Sequence, residues 1–215
     1  MIDQFVYDIP TRILYGAGSL QKLHEENLPG KKALIAISQG GSMKRHGQLD
    51  ALMSELDAAG VSYVLFDQIR PNPTAGNVDD AAACAVREGC DFVVALGGGS
   101  VMDAAKAIAL VATNEGSCWD YAPSVSGGQR TPEAAPLPLV CVTTSAGTGS
   151  EVDMWSVISN DETQEKMLKR LYSYAGETAK AAVFDDYEPK KYAREYADAA
   201  QKGGSVAALI ADELG

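Results

Sequence analysis

The feature that most constrains this chain is the run Phe92-Val93-Val94-Ala95-Leu96, then Gly97-Gly98-Gly99-Ser100, then an apolar stretch of helical period from Val101 to Val111. An unbroken apolar run of strand length needs cover on both faces, which parallel sheets flanked by helices provide. A strand, a glycine turn and a helix N-terminus also gather free backbone N–H groups around one point. Glycines let an anion approach the backbone closely, and the helix dipole favours its charge. Ser100 and Asp103 stand three apart at the helix start and read as a capping box with Ser100 as N-cap. Three consecutive glycines exceed what a turn needs, which favours a phosphate cradle over the alternative, a plain tight turn with a cap.

The same alternation recurs along the chain. Ala33-Leu34-Ile35-Ala36-Ile37 reads as a buried strand, and Leu49, Leu52, Met53 and Leu56 follow at helical spacing. Ser62 to Phe66 and Leu137 to Val142 read as further strands, and Val78 to Arg87 as a helix closing at Gly89. This pattern predicts an α/β, doubly wound, mainly parallel, Rossmann-like sheet through at least residue 150. Before it, Phe5-Val6-Tyr7 and Arg12-Ile13-Leu14-Tyr15 alternate like the arms of an N-terminal β-hairpin. Beyond Glu151 the pattern weakens. Met154 to Ile158 and Ala181 to Phe184 suit strands, and Tyr192 to Gln201 and Ser205 to Leu214 suit helices. The expected organisation is an α/β domain over 1–185 and a helical extension over 186–215. The apolar stripe Val206, Leu209 and Ile210 packs that extension on the sheet, or drives homodimerisation where cover is incomplete.

Composition narrows the function. A net charge of −11 over 215 residues argues against nucleic-acid or membrane-surface binding, both of which need concentrated positive charge. No apolar run is long enough to span a bilayer, and Met1-Ile2-Asp3-Gln4 does not open a secretory signal, so a cytoplasmic location is expected. Cys84, Cys90, Cys118 and Cys141 form no CxxC pair and read as buried reduced thiols. The two histidines, His24 and His46, form no metal-binding spacing.

Two further loops carry polar chemistry at strand ends. In Ser38-Gln39-Gly40-Gly41-Ser42-Met43-Lys44-Arg45 an acidic residue would hold a free ribose 2′-hydroxyl. Glycines, a serine and two cations stand there instead, which favours NADP over NAD; a solvated basic helix start is the alternative. Thr144-Ser145-Ala146-Gly147-Thr148-Gly149-Ser150-Glu151 offers hydroxyls and flexible backbone, suited either to a cofactor's ribose and nicotinamide or to a simple polar loop.

The pattern Gly98-Gly99-Ser100-x-x-Asp103-x-x-Lys106, followed by Gly147-Thr148-Gly149-Ser150-Glu151 and Lys166, resembles the iron-containing alcohol dehydrogenase family. Arg12-Ile13-Leu14-Tyr15-Gly16-Ala17-Gly18-Ser19-Leu20 and Pro71-Asn72-Pro73 resemble it too. The resemblance covers about residues 5 to 166, with a weaker echo to Asp185. It implies an N-terminal nucleotide-binding domain coupled to a helical metal-binding domain. Gly98, Gly99 and Ser100 would hold the pyrophosphate, and Asp103 of the same motif would belong to the cofactor site. Thr144, Ser145 and Thr148 would lie along the cofactor, Val157 and Lys166 near the nicotinamide ribose, and Gly40, Gly41 and Ser42 near the adenosine ribose.

The chain departs from the family after that point. Phe184-Asp185-Asp186-Tyr187-Glu188-Pro189 replaces a strand ending in Asp-Pro-Glu. An aspartate and a histidine four apart, both metal ligands in the family, correspond to Ser205 and Leu209, which bind a divalent metal poorly. Two further family histidines would fall past Gly215. Hydride transfer to a carbonyl needs an electrophile at oxygen, supplied in this family by the metal. The expectation is a dinucleotide-binding chain without a metal, of negligible dehydrogenase activity alone, and no catalytic residue is assigned. The alternatives are an active enzyme that takes its metal site from a partner chain, and a scaffold that has lost cofactor binding.

Overall fold

The computed structural model describes residues 11–123, 126–170 and 179–184, with 167–170 and 179–184 described as strand backbone alone. Its strands are β1 (Ile13–Tyr15), β2 (Lys32–Ser38), β3 (Ser62–Ile69), β4 (Phe92–Gly97), β5 (Leu139–Thr143), β6 (Trp155–Asn160), β7 (Glu165–Arg170) and β8 (Ala179–Phe184). The α-helices are α1 (Ser42–Arg45), α2 (Gln48–Ala58), α3 (Ala75–Glu88) and α4 (Gly99–Val111). Six strands form one parallel sheet in the order β1-β8-β5-β4-β2-β3.

The apolar runs become the middle of this sheet because both of its faces are covered. Side chains alternate across a strand, so Ala33, Ile35 and Ile37 join Phe92, Val94 and Leu96 against α2 and the 3₁₀ turn Leu20–Glu25. Leu34, Ala36, Val93 and Ala95 face the other way, onto α3 and α4. Every residue of β4 is buried. Helix α4 is apolar nearly all round because it lies between the sheet and an outer layer containing β6. Helix α3 begins at Thr74, whose side chain accepts from the Asn77 amide at 3.3 Å, and stops at Gly89, where φ of 66° ends the helix in the left-handed region.

The order of connections opens the site. From β2 the chain moves outward to β3 through α2 on one face. It returns past β2 to β4 through α3 on the opposite face. The loops leaving the carboxyl ends of β2 and β4 therefore diverge, which is the crevice where open α/β sheets bind ligands.

The chain's beginning and its later part depart from the sequence expectation. The Arg12–Tyr15 arm is a strand, but its partner is β8, in parallel, at the sheet edge. Its alternation comes from an edge strand with Ile13 and Tyr15 exposed. The other arm, Phe5–Tyr7, lies outside the described residues. Among the described residues an antiparallel hairpin forms from β6 and β7, with Val157 opposite Leu168 and Ser159 opposite Lys166. Its turn is built by Asn160, whose Oδ1 accepts from the Glu162 and Thr163 amides, and by Gln164 at φ 57°. The expected extension over 186–215 also lies outside the described residues, and among those described no helix is long and apolar enough to cross a membrane.

Candidate functional site

The glycine turn after β4 forms the floor of the crevice. Helix α4 starts at Gly99 with Gly98 as its N-cap, and no side chain of the described residues caps it. The earliest N–H groups of a helix have no partner within it. Here the amides of Gly99 and Ser100 open at the sheet's carboxyl edge, where the dipole favours an anion, while Val101 already donates to the Gly98 carbonyl. The expected capping box is not formed. With Gly98 as N-cap, two residues earlier than expected, Ser100 lies inside the helix and is exposed, and Asp103 points elsewhere.

The loop after β5 closes one side of the turn. Thr144 donates its amide to the Gly97 carbonyl at 3.1 Å. A Cβ on Gly98 would stand 2.8 Å from Ser145 Oγ, and one on Gly99 would stand 3.0 Å from Thr148 Cγ2. The structure thus brings Gly98, Gly99, Ser145 and Thr148 into contact, and glycine is what permits that approach. Thr144, Ser145 and Thr148 are all exposed to solvent at the crevice mouth. Gly147 and Gly149, at φ 113° and 67°, give this loop its sharp reversals. At its root, Glu151 is buried with Oε2 unpartnered among the described residues.

On the neighbouring strand, Gly41 at φ 70° turns the chain from β2 into α1, which places Gly40, Gly41 and Ser42 at the opposite side of the crevice. The two cations of that loop are engaged. Arg45 donates Nη1 to the Gly40 carbonyl at 2.9 Å, and Lys44 Nζ forms an ion pair with Asp67 of β3. That hydrogen bond from Lys44, reinforced by the Gln68 amide, holds the Asp67 carboxyl below its ordinary value.

Asp103 and Lys106 form a cluster one helical turn behind the glycines. Asp103 Oδ1 accepts from Ser150 Oγ at 2.6 Å, its Oδ2 accepts from the Val157 amide at 3.1 Å, and its carbonyl accepts from Ser156 Oγ at 2.7 Å. Lys106 is 1% exposed. Its Nζ donates to Asp153 Oδ1 at 2.7 Å and to the Trp155 carbonyl at 2.5 Å, and lies 3.4 Å from Asp103 Oδ1. Only the ammonium is fully buried, and stripping it of its carboxylate partners would leave that charge uncompensated, at a cost of up to about 3–5 kcal/mol. Sequence reasoning gave Lys106 no role, saw Ser150 only as part of a polar loop and motif, and passed over Asp153. The available signal was a lysine inside Ala104-Ala105-Lys106-Ala107-Ile108, an apolar context that only a paired charge tolerates.

The hairpin is fastened at a second point. The Ser159 amide donates to the Pro73 carbonyl at 2.9 Å, and Lys166 Nζ donates to Asn72 Oδ1 at 3.2 Å. Val157 therefore sits against the start of α4, whereas Lys166 is exposed and engaged with the loop after β3. Another concavity, lined by Leu14 to Ser19 and Lys22, lies at the end of β1, three strands from β4.

This arrangement has clear relatives. A probable NADH-dependent butanol dehydrogenase of Bacillus subtilis is 38% identical over 165 residues, covering 77% of this chain and 41% of the relative. A choline dehydrogenase of the same organism is 39% identical over 162 residues, covering 74% and 39%. Among solved structures, an archaeal halo-thermophilic alcohol dehydrogenase from a Red Sea brine pool, bound to NZQ, superposes with a TM-score of 0.75 at 37% identity, covering 86% of this chain and 47% of that one. A sulfoacetaldehyde reductase from Bifidobacterium kashiwanohense, in complex with NAD+, superposes with a TM-score of 0.72 at 27% identity, covering 85% and 46%. The chain thus spans about two fifths of the length of the curated relatives it matches. The sequence model of iron-containing alcohol dehydrogenases matches residues 10–200. With the glycine turn, the polar loop after β5 and the β6–β7 hairpin all in place, this chain belongs to the iron-containing alcohol dehydrogenase family.

Proposed function

We propose that this chain binds a nicotinamide dinucleotide as the cofactor domain of an alcohol or aldehyde oxidoreductase. The observation that carries the reading is the uncapped start of α4, which opens at the point where the chain's winding reverses, with Ser145 and Thr148 seated on its glycines. In this reading Gly98, Gly99 and Ser100 hold the diphosphate, and Gly40, Gly41 and Ser42 flank the adenosine ribose. Thr144, Ser145 and Thr148 lie along the cofactor, and Val157 and Lys166 lie near the nicotinamide ribose. Asp103 acts from behind, because both of its carboxylate oxygens are taken by Ser150, Val157 and Lys106.

The cofactor is a dinucleotide whose adenosine ribose meets the β2 loop. Lys44 and Arg45 suit the 2′-phosphate of NADP. The Asp67 carboxylate already neutralises Lys44 and would repel that phosphate. Together with the NADH named for the butanol dehydrogenase relative, this moves the reading from NADP toward NAD.

For the family's metal, the described residues are not a fit. Among them, no group of three or more His, Cys, Asp or Glu side chains could hold an ion. Ser205 and Leu209, the nearest counterparts that the family resemblance offers for two of its ligands, are poor donors. On these residues, this chain alone is proposed to turn alcohols over negligibly.

Calorimetric titration with NADH and NADPH tests the binding reading. One saturable site is expected, and no heat at millimolar dinucleotide would overturn it. Assay of primary alcohols with added iron(II) or zinc tests the second half. Clear turnover would favour the alternative in which a second copy or a partner chain completes the site.

A further inference from the structure

We infer that Lys106 is a positioning residue for the nicotinamide half of the dinucleotide, acting through Asp103 and Asp153 without touching the cofactor. The inference rests on the dinucleotide reading above.

Its basis is the order of strand ends. With the diphosphate on the first turn of α4, at the end of β4, the cofactor's two halves must run in opposite directions along the sheet edge. One half runs toward the β2 loop, the other toward the β5 loop, since β2 and β5 are the neighbours of β4. The adenosine side, Gly40 to Ser42, is built from β2 and α1 and is separate from the Lys106 cluster. The other side is tied at its root by that cluster, beside the Thr144 amide on the Gly97 carbonyl and the hairpin's bonds to Pro73 and Asn72. Ser150 fixes the end of the Thr144–Glu151 loop to Asp103, and the Val157 amide fixes β6 to the same carboxylate. Lys106 fixes Asp153 and the Trp155 carbonyl, the segment that joins loop to hairpin.

A flexible polar loop with left-handed glycines at 147 and 149 has little intrinsic preference for one position. The buried ammonium supplies that preference. It neutralises two carboxylates that would otherwise repel each other and release the loop, with Ser145 and Thr148, from the glycine turn. Lys106 thus governs where the nicotinamide-side wall stands, while the amides of Gly99 and Ser100 belong to the helix itself and keep their places.

The experiment compares ADP, which carries only the adenosine and diphosphate half, with NADH, by calorimetry and by nicotinamide fluorescence. Wild type is expected to bind both and to shift the NADH emission on binding. In Lys106→Met, ADP affinity stays within about twofold, NADH binding weakens at least about tenfold, and the bound emission returns toward that of free NADH. Should Lys106→Met fail to fold, Asp153→Asn decides, because its carboxyl is 37% exposed and the amide keeps an acceptor oxygen. There the selective loss is about threefold on NADH with ADP unchanged. Equal losses for ADP and NADH, or no change in either, would overturn the positioning role. Wild type binding neither ligand would overturn the dinucleotide reading itself, and this inference with it.

Discussion

Gly99 and Thr148 meet across the groove between the ends of β4 and β5, so closely that a Cβ on the glycine would lie 3.0 Å from the threonine Cγ2 and 3.3 Å from its Cβ. The contact joins a helix start to a loop from the next strand. Gly99→Ala must therefore push the loop, which can yield because Thr148 is exposed between two left-handed glycines. Stability should fall by about 1 kcal/mol, the mild end of overpacking, with a roughly tenfold loss of NADH affinity as the loop shifts. In a double-mutant cycle with Thr148→Ala, which removes the opposing methyl, the two changes should couple favourably by about 1 kcal/mol in both stability and binding. Strict additivity would show that the two residues do not act through this contact.

Cofactor preference should turn on Asp67. Its carboxyl is held ionised below the usual carboxylate range, chiefly by the Lys44 hydrogen bond and then by Gln68. The sign is that of a depressed acid: the pair's contribution is present above the ordinary carboxylate pKa and is lost as pH falls through the lowered folded value. Between pH 6 and 8 it is constant. Asp67→Asn removes a negative charge and releases Lys44, so the ratio of NADPH to NADH affinity should rise about three- to tenfold, with no pH dependence in that window. An unchanged ratio by calorimetry would place the 2′-position of the ribose away from Lys44.

How far the sequence could be read depends on where each signal resides. The strand Phe92–Leu96, its glycine turn and its helix were legible because a strand covered on both faces must be apolar at every position. The positions of Gly98, Gly99, Ser145 and Thr148 could be expected near one another for the same reason, as ends of parallel strands. Asp103 was misread because its spacing from Ser100 satisfies a capping box equally well. Only the helix start at Gly98 turns its carboxylate toward Ser150 and Val157. The β7 strand was missed because Glu165-Lys166-Met167-Leu168-Lys169-Arg170 is mostly charged, and its pairing depends on contacts with β6. The place of β8 between β5 and β1 is a matter of long-range pairing that no local pattern encodes.

Thiol reactivity should divide the cysteines in two. Cys118 and Cys141 are 3% and 1% exposed. Burial pushes the Cys141 thiol up to about 12, against a smaller opposing effect from Lys106. Since the thiolate is the reactive form, neither should react with a disulfide reagent at pH 8 in the folded chain. Cys84 and Cys90 are half-buried, and burial also raises the Cys90 thiol, so slow partial labelling is expected there. All four should label after denaturation. Every residue of β5 is buried, so rapid labelling of Cys141 in the native chain would mean that the strand does not lie inside the sheet.

The packing of the first 3₁₀ turn on α2 should depend on pH through one histidine. His24 Nδ1 lies 2.6 Å from Glu55 Oε2, and the same oxygen accepts the His24 backbone amide at 3.1 Å. The hydrogen bond to Glu55 raises the His24 pKa above its ordinary value, with desolvation opposing it. A raised folded value means that the charged form binds more tightly when folded. Its stabilisation is complete below the unfolded value of about 6.5 and disappears as pH rises through the folded one. The melting-temperature difference between wild type and His24→Asn should therefore be largest near pH 5.5 and shrink toward pH 8.5. Glu55→Gln should flatten that dependence and change stability little at high pH, because its amide oxygen can still accept the His24 backbone amide while no longer pairing with a charged imidazole. A difference that grows with pH would mean that His24 is held neutral, and that the hydrogen bond to Glu55 is not the dominant interaction at this contact.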